Sequence, residues 1–288
     1  MKNIFSCNYT SIVEDGQSAS MPAERYITRT VSLEASKTNE ELNERLEQQS
    51  KKGSLPLYAK IISYVSDFIS AIGVIGYLRS GVSLSEALQN APLIIYGTLF
   101  FIILAVALHL TDYILGKKVS SSEEFKSLQE DLDKAETDNK QELGIPNNAP
   151  EVDVLCEVYK MKSNKPSKKF DFEFIPSIMY AYTDDKQLHL ADEENVYSFD
   201  KSFFTEIKLV KKKSTLSAWT KDEAPASEKY GEYKAKINAN TGYTTIQSHY
   251  SFCFTDGFYD GEILIPNYDA QVIASLLSLP LPTEETSD

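Results

Sequence analysis

Arginine disappears from this chain after Arg79, and cysteine and histidine occur only three times each. Each scarcity removes a class of chemistry. Cys7, Cys156 and Cys253 stand alone, with no Cys-x-x-Cys spacing and no neighbouring histidine, which argues against a disulfide framework or a structural zinc site. This usage fits a reducing compartment. His189 and His249 belong to no metal-ligand motif, and no Gly-x-Ser-x-Gly, glycine-rich phosphate loop or His-Glu-x-x-His occurs. Carboxylates are plentiful, but nothing singles out two of them as an acid and a base. No catalytic residue, cofactor or metal is therefore expected. The opening MKNIFSCNYTSIVEDGQ lacks the apolar stretch and cleavage site of a signal peptide, so no export is expected.

Charge of one sign is also missing where it would matter for nucleic acid. The net charge is −13, and it is unevenly placed. Residues 1–118 carry 7 Lys, 4 Arg and 11 acidic groups, which cancel, whereas residues 119–288 carry 18 Lys against 31 acidic groups. A module of that sign is repelled by phosphate backbones, and nucleic acid is not an expected partner. Solubility accounts for the excess acid.

The long apolar runs are what the sequence does have. Residues 61–78 read IISYVSDFISAIGVIGYL, and 18 positions make about 27 Å of helix, close to a hydrocarbon core. Residues 92–115 read PLIIYGTLFFIILAVALHLTDYIL, with Leu, Ile and Phe content far above that of an ordinary surface helix. Between them RSGVSLSEALQNA is too short for a domain and can only turn the chain back. Two antiparallel transmembrane helices are predicted, in a segment 55–118. Lys51, Lys52, Lys60, Lys117 and Lys118 flank the hairpin's open end and Arg79 alone its turn, which places both termini in the cytoplasm.

Within the first span Ser63, Ser66, Ser70 and Gly73 recur at steps of three and four, a stripe of small residues fit to face the second helix. Asp67 lies beside the stripe, and in an antiparallel partner the equivalent depth falls near His109. An Asp67–His109 contact is expected, with Lys60 and Asp112 as a second polar pair nearer the interface. Ionisable groups at this depth are either a structural tie within the hairpin or a homo-oligomer, or part of an ion or proton path.

Around the hairpin, residues 1–54 read as an arm, irregular to about 36 and then helical from Thr38, which has Glu41 in capping-box spacing. After it, residues 119–150 form an acidic helical stalk with Phe125, Leu128, Leu132 and Ala135 on one face, stopped by Gly144, Pro146 and Pro150. Residues 151–280 change to short alternating strands with turns at 183–186, 238–242 and 256–261, then a helix with Val272, Ile273, Leu276 and Leu277 on one face. Phe170, Phe172, Phe174, Tyr180 and Tyr182 alternate strictly and read as core. The tail 281–288 reads as disordered. The fold class is thus a membrane α-helical hairpin plus an α+β, mainly β, soluble domain, an antiparallel barrel closed by a C-terminal helix.

The segments LHLADEENVYSF, FFTEIKLVKKK and GEILIPNYDAQVIASLL, at 188–199, 203–213 and 261–277, give 151–280 a pattern that resembles bacterial pleckstrin-homology-like domains carried on two-helix anchors. The resemblance implies a binding module for protein or lipid and no enzyme activity. In eukaryotic relatives of that fold a basic loop between the first two strands binds phosphoinositides. Here the matching place is KMKSNKPSKK, whose Lys160, Lys162, Lys165, Lys168 and Lys169 can meet anionic lipid headgroups, each worth about 1 kcal/mol near the surface. Without arginine the bidentate phosphate fork is missing, and the simpler alternative is a solvated loop.

The expected protein is a bacterial inner-membrane scaffold whose cytoplasmic domain meets a protein partner or its own copy. Two alternatives stay open: an anionic-lipid sensor, and an oligomeric channel or transporter accessory built on Asp67. Orientation is directly testable: a cysteine at Ser85, in the turn, should react with a membrane-impermeant maleimide in intact cells. A cysteine at Ser121 should react only after permeabilisation, and the reverse pattern would invert the topology.

Overall fold

The computed structural model of the chain describes residues 1–8, 22–162, 165–167, 172–217, 233, 235–237 and 243–282. Lys168, Lys169, Phe170, nearly all of the loop 217–229 and the tail from 283 lie outside the described residues. In chain order the elements are strands β1 (Lys2–Asn3) and β2 (Ser6–Asn8), a 3-10 turn (Pro22–Tyr26) and strand β3 (Ile27–Thr30). Then come helices α1 (Leu33–Lys52), α2 (Leu57–Ser80), α3 (Leu84–Asn90), α4 (Pro92–Ser120) and α5 (Glu123–Leu143). Strands β4 (Glu151–Lys162), β5 (Lys165–Ser167), β6 (Phe174–Thr183), β7 (Gln187–Ala191) and β8 (Asn195–Asp200) follow. The last are β9 (Phe204–Val210), β10 (Ser214–Leu216), β11 (Lys236–Ile237), β12 (Thr244–Ile246), β13 (His249–Thr255), β14 (Asp260–Pro266) and helix α6 (Ala270–Leu277).

These elements form two compact units. One is Leu33–Thr137, and the other joins Met1–Ser32 to Asp138–Asp288. In the first, α2 and α4 are long and apolar enough to cross a membrane, with mean hydropathy 1.7 and 2.5 over their most apolar stretches. Each boundary has a local cause. Pro56 precedes α2, and Gly81 in the left-handed region (φ 65°) ends it. Ser83 and Glu86 form a reciprocal capping box that starts α3 inside the turn, and Pro92 opens α4, where its missing N–H is not needed. The Ser122 hydroxyl accepts from Phe125 N at 3.2 Å to start α5, and Gly144 (φ 68°) stops it. A side chain at Gly144 would also strike the Arg29 guanidinium, 2.5 Å from the position of a Cβ.

In the second unit the described strands make two sheets. The smaller runs β1-β14-β13-β9, and the larger runs β11-β12-β10-β6-β7-β8-β3, with β4 pairing β6, β2 and β5. Pairing is mostly antiparallel, with parallel contacts of β1 on β14, β2 on β4 and β10 on β6. Among the described residues the sheets do not close into the expected barrel. The helix-plus-sheet class stands; the closure does not.

The described residues among the first 32 differ most from expectation. They include three strands, and Ile4 (0% exposed) and Phe5 (4%) enter the main core with Val152, Val154, Leu188, Phe199, Phe252, Phe254, Ile263 and Ile265. Tyr26 stacks into the same aromatic cluster, 4.8 Å from the Phe199 ring and 5.5 Å from Phe254. Isolated strands of two to four residues carry no readable periodicity, because their partners define them. Gly261 permits the approach of Ile4: a Cβ there would lie 2.8 Å from Ile4 Cγ2 and 2.5 Å from Phe254 Cζ.

Helix α6 covers the core with Ala270, Ile273, Ala274 and Leu277. It begins after Asp269 with no side-chain cap from Asn267, whose amide instead donates to Tyr233 O at 3.5 Å. On β6 the core face belongs to Met179 and Ala181, while Tyr180 and Tyr182 stand on the other face. Their hydroxyls find partners there: Tyr180 donates to Glu151 at 2.9 Å and Tyr182 accepts from Arg29 at 2.8 Å. A phenol hydroxyl needs such a partner wherever it is placed.

Truncating Ile4 to alanine should destabilise the folded unit by about 2 to 5 kcal/mol in denaturant unfolding of the full chain, as for other fully buried isoleucines. Ile178→Ala, at a position 52% exposed, should stay within about 0.5 kcal/mol of the unaltered protein.

Candidate functional site

The serine and glycine stripe of α2 faces α4. Ser63 and Ser66 are 5% and 1% exposed, and a Cβ at Gly73 would fall 2.2 Å from Thr98 Oγ1, so only glycine admits this approach. At the edge of this seam His109 Nε2 lies 3.0 Å from Asp67 Oδ2 and 3.5 Å from Ser63 Oγ. Equal depth in antiparallel neighbours brings the two together, as residue counting along both helices predicts. Asp112 does not meet Lys60; its Oδ1 accepts from Leu55 N at 2.7 Å and secures the entry to α2. Large apolar side chains elsewhere on both helices are turned outward, including Phe68 (67% exposed), Ile72 (57%), Leu93 (87%) and Ile103 (60%).

The lysine segment is only partly described. Strands β4 and β5 pair with Lys160 opposite Ser167 and Lys162 opposite Lys165, which makes the basic segment a hairpin of the main chain. The side chains of Lys160, Lys162 and Lys165, and all of Lys168 and Lys169, lie outside the described residues.

A second polar cluster crosses strands β7, β8 and β3. The β6–β7 turn is held by Asp184, whose Oδ1 accepts from Lys186 N (2.8 Å) and Gln187 N (2.7 Å), and those N–H groups hold its carboxyl down to about 2. Its Oδ2 lies 3.2 Å from His189 Nε2, and His189 Nδ1 lies 2.8 Å from Ser198 Oγ, which is 2.6 Å from Thr28 Oγ1. Burial pushes the His189 imidazole below its ordinary range against the opposing pull of Asp184. The order Asp, His, Ser suggests a nucleophile relay, but the serine is buried on β8 and its hydroxyl is engaged by Thr28. An open cleft of about 500 Å³ nearby is lined by Asp184, Asp185, Lys186, Gln187 and Asp200, away from the serine. The chain of contacts is well placed to clip β3 onto β8. Its sequence signal is the register of the 187–200 hairpin, which puts His189 opposite Ser198.

Two buried carboxylates went unnoticed in the sequence. Tyr268 OH donates to Asp153 Oδ2 at 2.6 Å and Asp153 N donates to Asp269 Oδ2 at 2.8 Å, tying β4 to the start of α6. Nothing in the alternation of β4 marks Asp153 as buried, since its partners Tyr268 and Asp269 lie more than 110 residues further along the chain. Among the described residues no group of three His, Cys, Asp or Glu converges as a metal site.

The β13–β14 turn presents an aromatic. Asp256 Oδ1 accepts from Phe258 N (2.8 Å) and Tyr259 N (2.7 Å), while its Oδ2 takes the Tyr26 hydroxyl (3.0 Å) and the Arg25 guanidinium (3.4 Å). Gly257 supplies the left-handed residue at φ 83°. Burial, then the Asp256 bond, pushes Tyr26 up to about 12, so this clamp is neutral phenol on carboxylate. Phe258 at its tip is 90% exposed.

No family model, curated protein or solved structure matches the chain.

His249 supplies a pH test of the unit. It is buried at the start of β13, with Nδ1 unpartnered, edge-on to Phe174 at 5.7 Å. Burial, with help from Lys212 and against Glu173, lowers it from 6.5 to about 4. Above pH 6.5 both folded and unfolded forms are neutral and the contribution to stability is complete. As pH falls from 6.5 towards 4 only the unfolded chain gains the proton, and on the order of 3 kcal/mol is lost. His249→Leu should flatten that part of the stability profile in denaturant unfolding at pH 7 and pH 4.5; parallel profiles would remove His249 from the account.

Proposed function

We propose that the chain is a membrane-tethered, non-enzymatic binding module of pleckstrin-homology-like design, held at the cytoplasmic face of a bacterial plasma membrane and offered to a protein partner. The observation that carries the tether is the place of the hairpin. Helices α2 and α4, whose apolar surfaces are left uncovered, are inserted in the chain between β3 and β4 of a single folded unit. An exposed apolar surface of this length belongs in lipid. Because β1, β2 and β3 pair with β14, β4 and β8, both flanks of the insertion must lie on one side of the bilayer, which an even number of spans satisfies. The lysines at the hairpin's open end supply the side.

The pleckstrin-homology-like reading draws on β14 running through Ile265 and Pro266 towards a helix whose apolar face seals the core. Phe258 supports a protein partner: a nearly free aromatic on a turn clamped by four hydrogen bonds loses little conformational entropy when it enters a pocket. The β4–β5 hairpin of lysines favours a second reading, in which the same unit meets anionic lipid.

A photo-reactive amino acid at Phe258, in the full chain in native membranes, should give a discrete cross-linked protein adduct that the same probe at the exposed Ile178 does not. Full-length protein in neutral nanodiscs should bind anionic vesicles no better than a variant with Lys160, Lys162, Lys165, Lys168 and Lys169 changed to glutamine. No adduct, together with lysine-dependent vesicle binding, would replace the protein partner by the lipid surface.

A further inference from the structure

We propose that a second copy of the hairpin covers the face on which Asp67 and His109 meet, so that the two pairs complete one another across a two-fold axis. The inference rests on the reading that α2 and α4 cross a bilayer. Asp67 is ten residues from Leu57 and thirteen from Ser80, about 15 and 20 Å from the two helix ends. An aspartate side chain cannot snorkel that far. Yet the pair is not enclosed by its own hairpin: the Asp67 and His109 side chains are 44% and 59% exposed. Groups of this kind at hydrocarbon depth face other protein or a water-filled cavity.

The small-residue stripe cannot provide that cover, because Ser63, Ser66 and Gly73 are already packed on α4. What remains is the rim on the Asp67 side. There Ala71, Val74 and Leu78 follow Asp67 at spacings of four, seven and eleven on α2, and Val106 and Tyr113 flank His109 on α4. Val74, Leu78, Val106 and Tyr113 are 41%, 70%, 61% and 66% exposed. The face is apolar around one ionisable centre, and small Ala71 beside that centre lets a second backbone come near.

Valence selects the occupant. Within one hairpin His109 uses Nε2 and Asp67 uses Oδ2, and no contact engages His109 Nδ1 or Asp67 Oδ1. A two-fold axis along the membrane normal sets identical residues at identical depth, so Nδ1 of each His109 can donate to Oδ1 of the other Asp67. With both imidazoles protonated every N–H donates, each carboxylate accepts twice, and the four-membered group is electrically neutral. A second copy therefore brings the missing donor and acceptor at the right depth.

The test uses the full chain in nanodiscs, read by native mass spectrometry and by cysteine cross-linking in membranes. The unaltered protein should be dimeric, and Ala71→Cys should cross-link between copies at least ten-fold more than Ile62→Cys, an exposed position on the opposite side of α2. Asp67→Leu with His109→Leu should abolish the Ala71→Cys cross-link, and the exchange Asp67→His with His109→Asp should restore it. A monomeric unaltered protein, equal cross-linking at positions 71 and 62, or a dimer whose position-71 cross-link survives the double leucine change would overturn the proposal. Alkaline carbonate washing of the same membranes separates the two levels. Protein released from the pellet means that the spanning reading fails and this inference with it. Protein retained but monomeric means that only the self-association fails.

Discussion

Ile4 and Phe5 are enclosed by side chains that the ribosome adds long after them, and most of the architecture depends on that enclosure. Their main chain is bound on both sides: Ile4 N donates to Glu262 O at 3.1 Å, and Glu157 N donates to Phe5 O at 3.2 Å. Asn3 completes the strap, since its buried amide donates to Leu155 O across 152 positions and its Oδ1 accepts from Phe5 N. Without this strand both sheets lose an apolar neighbour and several buried N–H and C=O groups lose partners, which costs more than the contacts alone. The same segment brings Tyr26 and Arg25 to Asp256, and Thr28 and Arg29 to the far edge of the larger sheet.

Several polar contacts inside the sheet unit follow a common design. Tyr268 to Asp153, Tyr26 to Asp256 and Thr28 to Ser198 each join segments more than 100 residues apart in the chain. Apolar packing supplies most of the free energy in such a unit but is non-directional. Hydrogen bonds to buried carboxylates and hydroxyls fix which strand lies where, because a slip would leave a charged or polar group dry and unpaired. In the helical unit the contact of Asp67 with His109 ties α2 to α4 by the same logic, between two largely apolar helices.

Long apolar periods were legible in the sequence. Residues 61–78 and 92–115 lie inside α2 and α4, and Gly144 marks the end of α5, because helix length and helix stops are local properties. The approach of Asp67 to His109 was legible for a related reason: two antiparallel helices joined by a short turn leave one variable, depth, and counting residues fixes it. Short strands were another matter. β1, β2 and β3 have no pattern of their own, and Asp153 reads like any outward strand position until Tyr268 and Asp269 are placed beside it. Tyr180 and Tyr182 misled because alternation gives a face without saying which one is dry. Helix α1 begins at Leu33, not at Thr38, whose hydroxyl turns back to Glu34 O at 2.9 Å instead of capping. The β3 strand hands the chain over at Ser32, and that long-range pairing sets the boundary.

The parallel pairing of β1 with β14 also orders events in time. Strand β1 has to wait without this partner while the helices α1 to α5 and the later strands are made, until β14, a few residues before α6, has emerged. Local helices form within about a microsecond once free, whereas closure across nearly the whole chain has to await synthesis at roughly 5 to 20 residues per second. The β1–β14 contact is thus among the last that the growing chain can make, and only then does Ile4 meet the Phe254 and Ile263 side chains that enclose it.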